Sequence, residues 1–538
     1  MTDKGTKNSN GESTGLDHMV DMGITHLHIM PSYDYATVDE SKSDDQYNWG
    51  YDPKNYNVQE GSYSTDPTDG NVRVNEYKQM VQALHENGIR VVMDVVYNHT
   101  FNIDDSNFQK IVPDYYYRKS GDSFTNGSGC GNETASERSM MRKYIVDSVV
   151  YWVKEYHVDG FRFDLMGVHD IETMQEVRAA LDEIDPSIII YGEGWTGGES
   201  GLDESLRAVK ANMSNLEGIA AFSDDFRDGL KGNVFDEKDT GFLAGNDAYL
   251  EDVKASILGA TENDQIDVSK LTKSKSAWAV EPGQCINYVS CHDNLTLWDK
   301  LQVSVPDAGK EEYIAMNKLA AAMTFTSEGI PFMMAGEEFL RSKPSGDGYD
   351  ANSYKSGDEV NSLKWDTLTE NADVYNYYKG LIKFRKAHAA LRLTKIEDLQ
   401  DKVKFIDGLK GAAVGYTISG KPNGEKADAI MVIHNGNKKD ITVNLPDTDT
   451  WSVYINNEKA GTDVIEEVKD SVKVSKTSTM VLVKESKATK AINKLNKIDN
   501  WVFIVAAIVV ILLIIFILIF NSKGLSERRR RKKVSYYK

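Results

Sequence analysis

The chain has 538 residues, of which 41% are hydrophobic and 10% aromatic, and its formal net charge is −20. This length exceeds one ordinary domain, and the acidic balance argues against nucleic acid or an anionic membrane surface as a partner of the main body. The three cysteines are too few for a disulfide framework, and no cysteine or histidine cluster has the spacing of a metal site.

Seven short apolar segments alternate with longer segments of helical periodicity. The apolar segments are 24–31, 89–96, 160–164, 188–193, 219–225, 286–293 and 330–337. Such alternation is typical of parallel βαβ units, and carboxylates at the ends of several segments are typical of the catalytic face of a TIM barrel. We therefore predict an α/β fold, a (β/α)8 TIM barrel over residues 1–392. Eight strands close such a barrel and residues 1–20 contain none, so we expect strand 1 to be missing.

The C-terminal part changes character three times. Short alternating strands separated by turn residues predict an antiparallel β-sandwich over residues 393–485. Residues 486–500 are polar and lysine-rich, which predicts a linker. Residues 501–520 are twenty consecutive apolar residues, about the length that a transmembrane helix needs.

The charge of the C-terminal tail predicts how the chain is oriented. Residues 521–538 carry eight basic side chains and one acidic side chain, so the positive-inside rule places this tail in the cytoplasm. We predict a single-pass protein of the cell membrane, held in the lipid bilayer by 501–520, with an extracellular catalytic domain. Residues 1–20 lack the apolar segment of a secretion signal, so we expect the chain to be truncated at its amino end.

The motif GFRFD, residues 160–164, places two charges in an apolar strand. Alternate residues of a strand face opposite sides, so Arg162 and Asp164 point together into the barrel mouth. A carboxylate that a guanidinium keeps ionised and oriented is suited to act as a nucleophile. Taken alone, these five residues fit a structural ion pair equally well.

The next strand brings a second carboxylate to the same rim. Glu193 stands in YGEGW between two glycines, which leave space for another group to approach, and Trp195 adds an aromatic face. A retaining glycosidase uses two carboxylates, one as nucleophile and one as general acid/base, about 5–5.5 Å apart. The two neighbouring strands therefore favour glycoside hydrolysis.

Two further motifs add polar groups to this rim. SCHDN brings His292 and Asp293, and DVVYNHT brings Asp94, Asn98 and His99. Each histidine, taken singly, is more often a packed structural residue than a catalyst. Together the motifs place four carboxylates and two imidazoles on one rim, which suits a positively charged, oxocarbenium-like transition state.

The motif YNWGYDP, residues 47–53, follows the first apolar segment. Sugars present flat C–H faces to aromatic rings and hydroxyl groups to carboxylates, and Tyr51 with Asp52 offers both. In isolation the motif would be a turn with surface aromatics, but beside this rim it predicts a substrate contact.

These motifs resemble those of glycoside hydrolase family 13, the α-amylase family, and within it the type I pullulanase branch. DVVYNH, GFRFD, YGEGW and SCHDN stand in the family's order, YNWGYDP is typical of the branch, and the resemblance runs from about Gly15 to Lys484. It implies a retaining glycosidase that cleaves α-1,6-glucosidic branch bonds in pullulan, amylopectin or limit dextrins by double displacement.

The resemblance also implies a role for each residue of the rim. It implies that Asp164 is the nucleophile, Glu193 the general acid/base and Asp293 the stabiliser of the transition state. The residues implied to surround or support the sugar are Tyr51, Asp94, His99, Arg162 and His292. Asp52 and Trp195 are predicted substrate contacts from the residues alone.

Several alternatives stay open at this stage. The enzyme could cut α-1,4 bonds as well, as an amylopullulanase, because bond choice depends on the shape of the subsites. A non-catalytic glucan-binding surface protein is a second alternative, although all three expected carboxylates are present. No cofactor is required and no metal ligands are predicted. Calcium stays open, since Asn98 lies where amylase relatives often place a ligand but no EF-hand spacing occurs.

Overall fold

The computed structural model describes residues 2–486 and 510–515. The strands up to residue 349 are β1 (His26–Ile29), β2 (Tyr33–Tyr35), β3 (Pro53–Gln59), β4 (Arg90–Val95), β5 (Lys119–Ser120), β6 (Ser123–Phe124), β7 (Gly160–Phe163), β8 (Ile189–Gly192), β9 (Ala220–Phe222), β10 (Cys285–Asn287), β11 (Ile330–Pro331), β12 (Pro344–Ser345) and β13 (Gly348–Tyr349). The later strands are β14 (Val403–Phe405), β15 (Ala413–Ser419), β16 (Ala429–Asn435), β17 (Ile441–Asn444), β18 (Trp451–Ile455), β19 (Glu466–Val468), β20 (Ser471–Val474) and β21 (Ser478–Lys484).

The α-helices lie mostly between the parallel strands. They are α1 (Gly15–Met22), α2 (Gly70–Glu86), α3 (Asn107–Ile111), α4 (Ser139–Tyr156), α5 (Ile171–Asp182), α6 (Asp224–Lys231), α7 (Leu250–Ile257), α8 (Leu297–Ser304), α9 (Lys310–Thr326), α10 (Asp358–Asn361), α11 (Thr367–Glu370), α12 (Ala372–Ala387) and α13 (Ile396–Lys402). Local capping fixes several of their starts. The carboxylate of Asp170, for example, accepts the N–H of Thr173 at the start of α5.

Seven parallel strands form the central sheet in the order β1-β4-β7-β8-β9-β10-β11. Each of the seven predicted apolar segments supplies one strand, so that prediction is confirmed. The register sets Asp94, Arg162 and Tyr191 side by side on three neighbouring strands. Because side chains alternate along a strand, this register brings the Arg162 guanidinium and the Asp94 carboxylate to the same side of the sheet.

The sheet is open between its two end strands. Within residues 2–486, β1 and β11 are not hydrogen-bonded to each other, and no strand precedes β1. A cavity of about 2190 Å³ is lined by residues of both end strands and extends to Trp49 and His292. The parallel α/β architecture is therefore as predicted, with seven strands and without closure in the described residues.

An antiparallel hairpin that the sequence did not predict follows β1. It consists of β2 and β3, paired with two register shifts. Tyr33 and Tyr56 of this hairpin are buried and pack edge to face, with their ring centroids 5.5 Å apart. The connection between the two strands carries the YNWGYDP motif, so the hairpin fixes the position of Tyr51 immediately before β3.

The C-terminal part is built around a six-stranded sheet, in the order β14-β15-β16-β21-β18-β19, with a separate pair, β17 and β20. One core lies between the sheet and this pair and includes Trp451, Val443 and Leu482. The other face of the sheet packs on α9, where Leu319 belongs to the same apolar cluster as Val432. The predicted antiparallel strands are confirmed, and a helix of the larger part covers one face of their sheet.

The predicted membrane segment lies largely outside the described residues. The linker 486–500, beyond its first residue, and the tail 521–538 are also outside them. Within 501–520, residues 510–515 form a short exposed helical segment. Across the described parts of the chain, no helix combines the length and the apolar character that crossing a membrane requires.

Replacing Leu319 by alanine should destabilise the protein because this fully buried side chain belongs to the apolar cluster that α9 shares with the C-terminal sheet. We expect a loss of about 2–5 kcal/mol in the free energy of unfolding, measured by urea denaturation. The matched control is Leu206→Ala, at a side chain that is 54% exposed, with an expected change within about 0.5 kcal/mol. Equal effects of the two substitutions would contradict this packing.

Candidate active site

Arg162 is the centre of the polar cluster at the carboxyl ends of β4, β7 and β8. Its Nη1 lies 2.9 Å from Asp94 Oδ1 and 3.0 Å from Asp164 Oδ1, and its Nη2 lies 2.7 Å from Glu193 Oε1. The Arg162 side chain is 1% exposed. A guanidinium buried in this way is stable only with charged partners, and here three carboxylates from three adjacent strands share it.

The three carboxyl groups differ in their affinity for a proton. Burial raises the pKa of Asp94, but Arg162, His28 and His292 together outweigh burial, and the pKa lies below its ordinary value. Burial, assisted by the charge of Asp94, raises the pKa of Asp164 to about 6. Burial, assisted by Asp164 and Asp293, raises the pKa of Glu193 to about 8 despite Arg162. At neutral pH Glu193 therefore retains a proton while Asp164 is mostly ionised, so the two neighbouring carboxyl groups differ in protonation state.

The backbone turns sharply after two of the predicted catalytic carboxylates. Leu165 has φ 41° and Asn294 has φ 62°, both in the left-handed region that non-glycine residues rarely occupy. The turn at Leu165 directs its N–H to Glu193 Oε2 at 3.0 Å. Strained backbone thus links the residue after Asp164 to the neighbouring carboxyl group.

Asn98 connects the predicted nucleophile to His99. Its Nδ2 donates to both the carbonyl oxygen and Oδ2 of Asp164, each at 2.8 Å. Its Oδ1 lies 2.6 Å from His99 Nδ1. The sequence analysis placed Asn98 on the rim and left open whether it binds calcium; its amide here orients the Asp164 carboxylate. His99 itself is buried, and burial lowers its pKa to about 4.

Aromatic rings form one wall of the site. Tyr51 stacks on His292 with their centroids 4.8 Å apart, and Trp49 meets the same imidazole edge to face at 4.9 Å. The hydroxyl of Tyr51 donates to Asp94 Oδ2 at 2.7 Å. Burial lowers the pKa of His292 to about 4, so this imidazole is neutral at physiological pH. The wall is therefore tied to the carboxylate cluster by a hydrogen bond.

Asp293 lies at the open side of the site. Its side chain is 56% exposed, and its Oδ1 is 3.8 Å from His292 Nε2. The loop that carries it is braced by two buried lysines: Lys343 Nζ donates to the carbonyl of His292 at 2.7 Å, and Lys231 Nζ donates to that of Leu295 at 3.1 Å. Asp293 is thus held on a fixed backbone with its carboxylate free to meet a ligand.

Asp52 and Trp195, the other two predicted substrate contacts, lie outside the Arg162 cluster. Asp52 belongs to the hairpin, where its Oδ2 accepts the N–H of Thr37 at 2.8 Å. Its carboxylate stabilises this turn and has no contact with the Arg162 cluster among the described hydrogen bonds and ion pairs. Trp195 is half-buried on the loop after β8, where its backbone lies against Gly167 and leaves no room for a side chain there.

The long insertion after β4, residues 100–138, closes another side of the site. Its buried Arg118 bonds Glu133 Oε2 at 2.6 Å and the carbonyl of Val168 at 3.2 Å. Glu133 also accepts the hydroxyl of Ser200 at 2.7 Å, on the loop after β8. The insertion is therefore joined to the loops that follow both predicted catalytic strands, as its position on the functional face suggested.

The described residues contain one group of carboxylates close enough to hold a cation. Oxygens of Asp34, Glu40 and Glu60 all lie within 4.8 Å of one another. All three residues already have other partners: Asp34 accepts from the Asn55 amide, Glu40 pairs with Arg73 and Glu60 accepts the N–H of Tyr35. This group belongs to the hairpin region, and Asn98 is not part of it.

One contributor to the cluster was not predicted from the sequence at all. His28, at the end of β1, places Nε2 3.1 Å from Asp94 Oδ2. The segment ITHLHIMP contains it, but a histidine near an apolar run indicates nothing specific until the strand order is known. Only the pairing of β1 with β4 shows that the two residues are neighbours.

Comparison with known proteins shows which family this chain is similar to. A family model described as "Alpha amylase, catalytic domain" matches residues 3–130, and one described as "Pullulanase, all-beta domain" matches residues 399–459. The chain is 37% identical to the pullulanase of Bacillus subtilis strain 168, over 90% of this chain and 65% of that protein.

Solved structures are similar along the same region. The pullulanase of Paenibacillus barengoltzii in complex with maltohexaose and α-cyclodextrin is 44% identical, with a TM-score of 0.82 over 90% of this chain and 73% of that one. The pullulanase from Bacillus acidopullulyticus is 40% identical, with a TM-score of 0.84 over 90% of this chain and 57% of that one. The chain thus spans between about half and three quarters of these relatives.

Replacing Asp164 by asparagine should lower the pKa of Glu193, because the negative charge of Asp164 helps to raise it. The proton affinity can be followed by carbon-13 NMR of labelled glutamate carboxyl groups during a pH titration. Asp203→Asn, at an exposed aspartate on the surface loop after β8, is the control and should leave the titration unchanged. An unchanged or higher pKa in Asp164→Asn would contradict the coupling.

Proposed function

The chain belongs to the α-amylase family of glycoside hydrolases and is similar to its pullulanases; on this premise we propose that it hydrolyses α-1,6 branch bonds in pullulan, amylopectin or limit dextrins. The observation that carries the proposal is the sharing of Arg162 by Asp94, Asp164 and Glu193, with a proton retained on Glu193. Related structures contain maltohexaose, maltotetraose or maltose, which supports an α-glucan as the substrate class.

The proposed reaction is a double displacement. Asp164, ionised at neutral pH, attacks the anomeric carbon while Glu193 transfers its proton to the glycosidic oxygen. The glycosyl group is then bound covalently to Asp164. Glu193, now ionised, takes a proton from water, and the resulting nucleophile releases the sugar and regenerates both groups.

The remaining side chains of the site fit this reaction. Positive charge develops on the sugar in the transition state, and the exposed carboxylate of Asp293 can face it from the open side. Tyr51 and His292 offer a ring surface to the sugar, and Tyr51 is fixed by its bond to Asp94. Both Nη atoms of Arg162 already contact carboxylates, so its function is to orient them.

Product analysis on pullulan and on linear amylose tests the proposal. We expect maltotriose from pullulan and no cleavage of amylose, measured by chromatography of the products. Asp164→Asn should reduce hydrolysis at least about a thousandfold while glucan binding stays measurable, because the substitution removes the nucleophile and keeps the site's shape.

The other outcomes discriminate between the alternatives. Cleavage of both polymers would indicate an amylopullulanase, since α-1,4 bonds would then also fit the subsites. Binding of both polymers without any product would indicate a glucan-binding surface protein and would overturn the proposal. Near-normal turnover by Asp164→Asn would remove Asp164 from the role of nucleophile.

The pH dependence of kcat/KM should be bell-shaped. Asp164 acts ionised, so activity should fall as the pH falls through about 6, and Glu193 acts protonated, so activity should fall as the pH rises through about 8. In Glu193→Gln the alkaline limb should disappear when the substrate has a leaving group that needs no protonation. A retained alkaline limb in that variant would assign it to another group.

A further inference from the structure

His28 stands at the junction between the first strand of the sheet and the catalytic cluster. Its side chain is 9% exposed, and its Nε2 lies 3.1 Å from Oδ2 of Asp94, which is fully buried. Asp94 is held below its ordinary pKa and is ionised, so both of its oxygens only accept hydrogen bonds. The proton of this contact is therefore on His28, and His28 donates it.

The two oxygens of Asp94 have different partners. Oδ1 accepts from Arg162 Nη1 at 2.9 Å. Oδ2 accepts from Tyr51 at 2.7 Å and from His28 at 3.1 Å, and Arg162 Nη1 also lies 3.1 Å from it. The orientation of the carboxylate is consequently set from three sides, by β7, by the hairpin and by β1.

The imidazole of His28 is itself held in place by two aromatic rings, one on β8 and one directly after β11. Its centroid lies 5.9 Å from that of Tyr191, at an interplanar angle of 81°, and 5.8 Å from that of Phe332, at 60°. Tyr191 belongs to β8 and Phe332 follows β11. Edge-to-face contacts of this kind are favourable and restrict the ring to one orientation.

We propose that His28 is a positioning residue for the reaction: by donating to Asp94 it leaves Arg162 available to the two reacting carboxylates. One guanidinium serves three carboxylates here, so the strength of its contact with Asp94 determines its distance from Asp164 and Glu193. Without the donor on β1, buried Asp94 would draw Arg162 and Tyr51 toward itself. The inference rests on the proposed hydrolytic function.

The expected effect is on turnover more than on binding. His28 contacts Asp94 and two aromatic rings. A change at His28 therefore affects the positions of Asp164 and Glu193 only indirectly, through Asp94 and Arg162. In His28→Leu, which keeps the volume and removes the donor, kcat on pullulan should fall about ten- to one-hundredfold while KM changes less than about threefold. His28→Gln, which can present an amide N–H to Asp94, should recover most of the loss.

His26 provides a matched control on the same strand. It lies two residues before His28, lines the same cavity, and contacts Thr25 Oγ1 at 2.9 Å. His26→Leu should lower kcat less than about twofold. Thermal midpoints of all variants show whether a loss of turnover follows from a loss of stability. In an Asp94→Asn background, His28→Leu should add little, because both substitutions remove the same contact.

Three results would overturn the inference. One is a kcat for His28→Leu within twofold of the unchanged protein; another is an equal loss in His26→Leu, which would indicate a packing role for the strand. The third is full additivity of His28→Leu with Asp94→Asn. Absence of hydrolysis by the unchanged protein would instead overturn the proposed function, and the inference with it.

Discussion

The architecture of the site depends on one buried guanidinium shared among three carboxylates. The single positive charge of Arg162 can neutralise only one carboxylate. Asp94, Asp164 and Glu193 therefore differ in their affinity for a proton. This is possible only if β4, β7 and β8 are adjacent and in one register. The order of the parallel strands is therefore a chemical requirement as well as a topological one, and the surrounding hydrogen bonds maintain it.

The sequence predicts the part of the fold that local patterns determine. Alternating apolar and helical segments gave all seven parallel strands and the C-terminal antiparallel strands. The charged pair in GFRFD was recognisable because a charge in an apolar run is unusual, and the structure brings Arg162, Asp164, Glu193 and Asp94 together. Each of these motifs spans only a few consecutive residues, so it can be recognised without knowing the fold.

The features that sequence reasoning missed depend on contacts between distant segments. The contact of His28 with Asp94 depends on the strand order, and the contact of Asn98 with Asp164 depends on the turn after β7. Neither feature can be predicted from the residues next to His28 or Asn98. Asp52 illustrates the reverse: a carboxylate beside an aromatic residue suggested a sugar contact, whereas its partner is the backbone of the hairpin at Thr37. Its predicted role in substrate binding stays a prediction.

The open sheet places His28, the proposed positioning residue, on one of its two edge strands. Among the described strands, β1 is hydrogen-bonded to β4 alone, so fewer bonds hold it than hold β7 or β8. Local opening requires less free energy where a strand has one neighbour. Because β1 carries His28, brief detachment of this strand would change the geometry around Asp94 while the rest of the molecule stayed folded. If the proposed hydrolysis depends on this geometry, heating would abolish it before the whole protein unfolds.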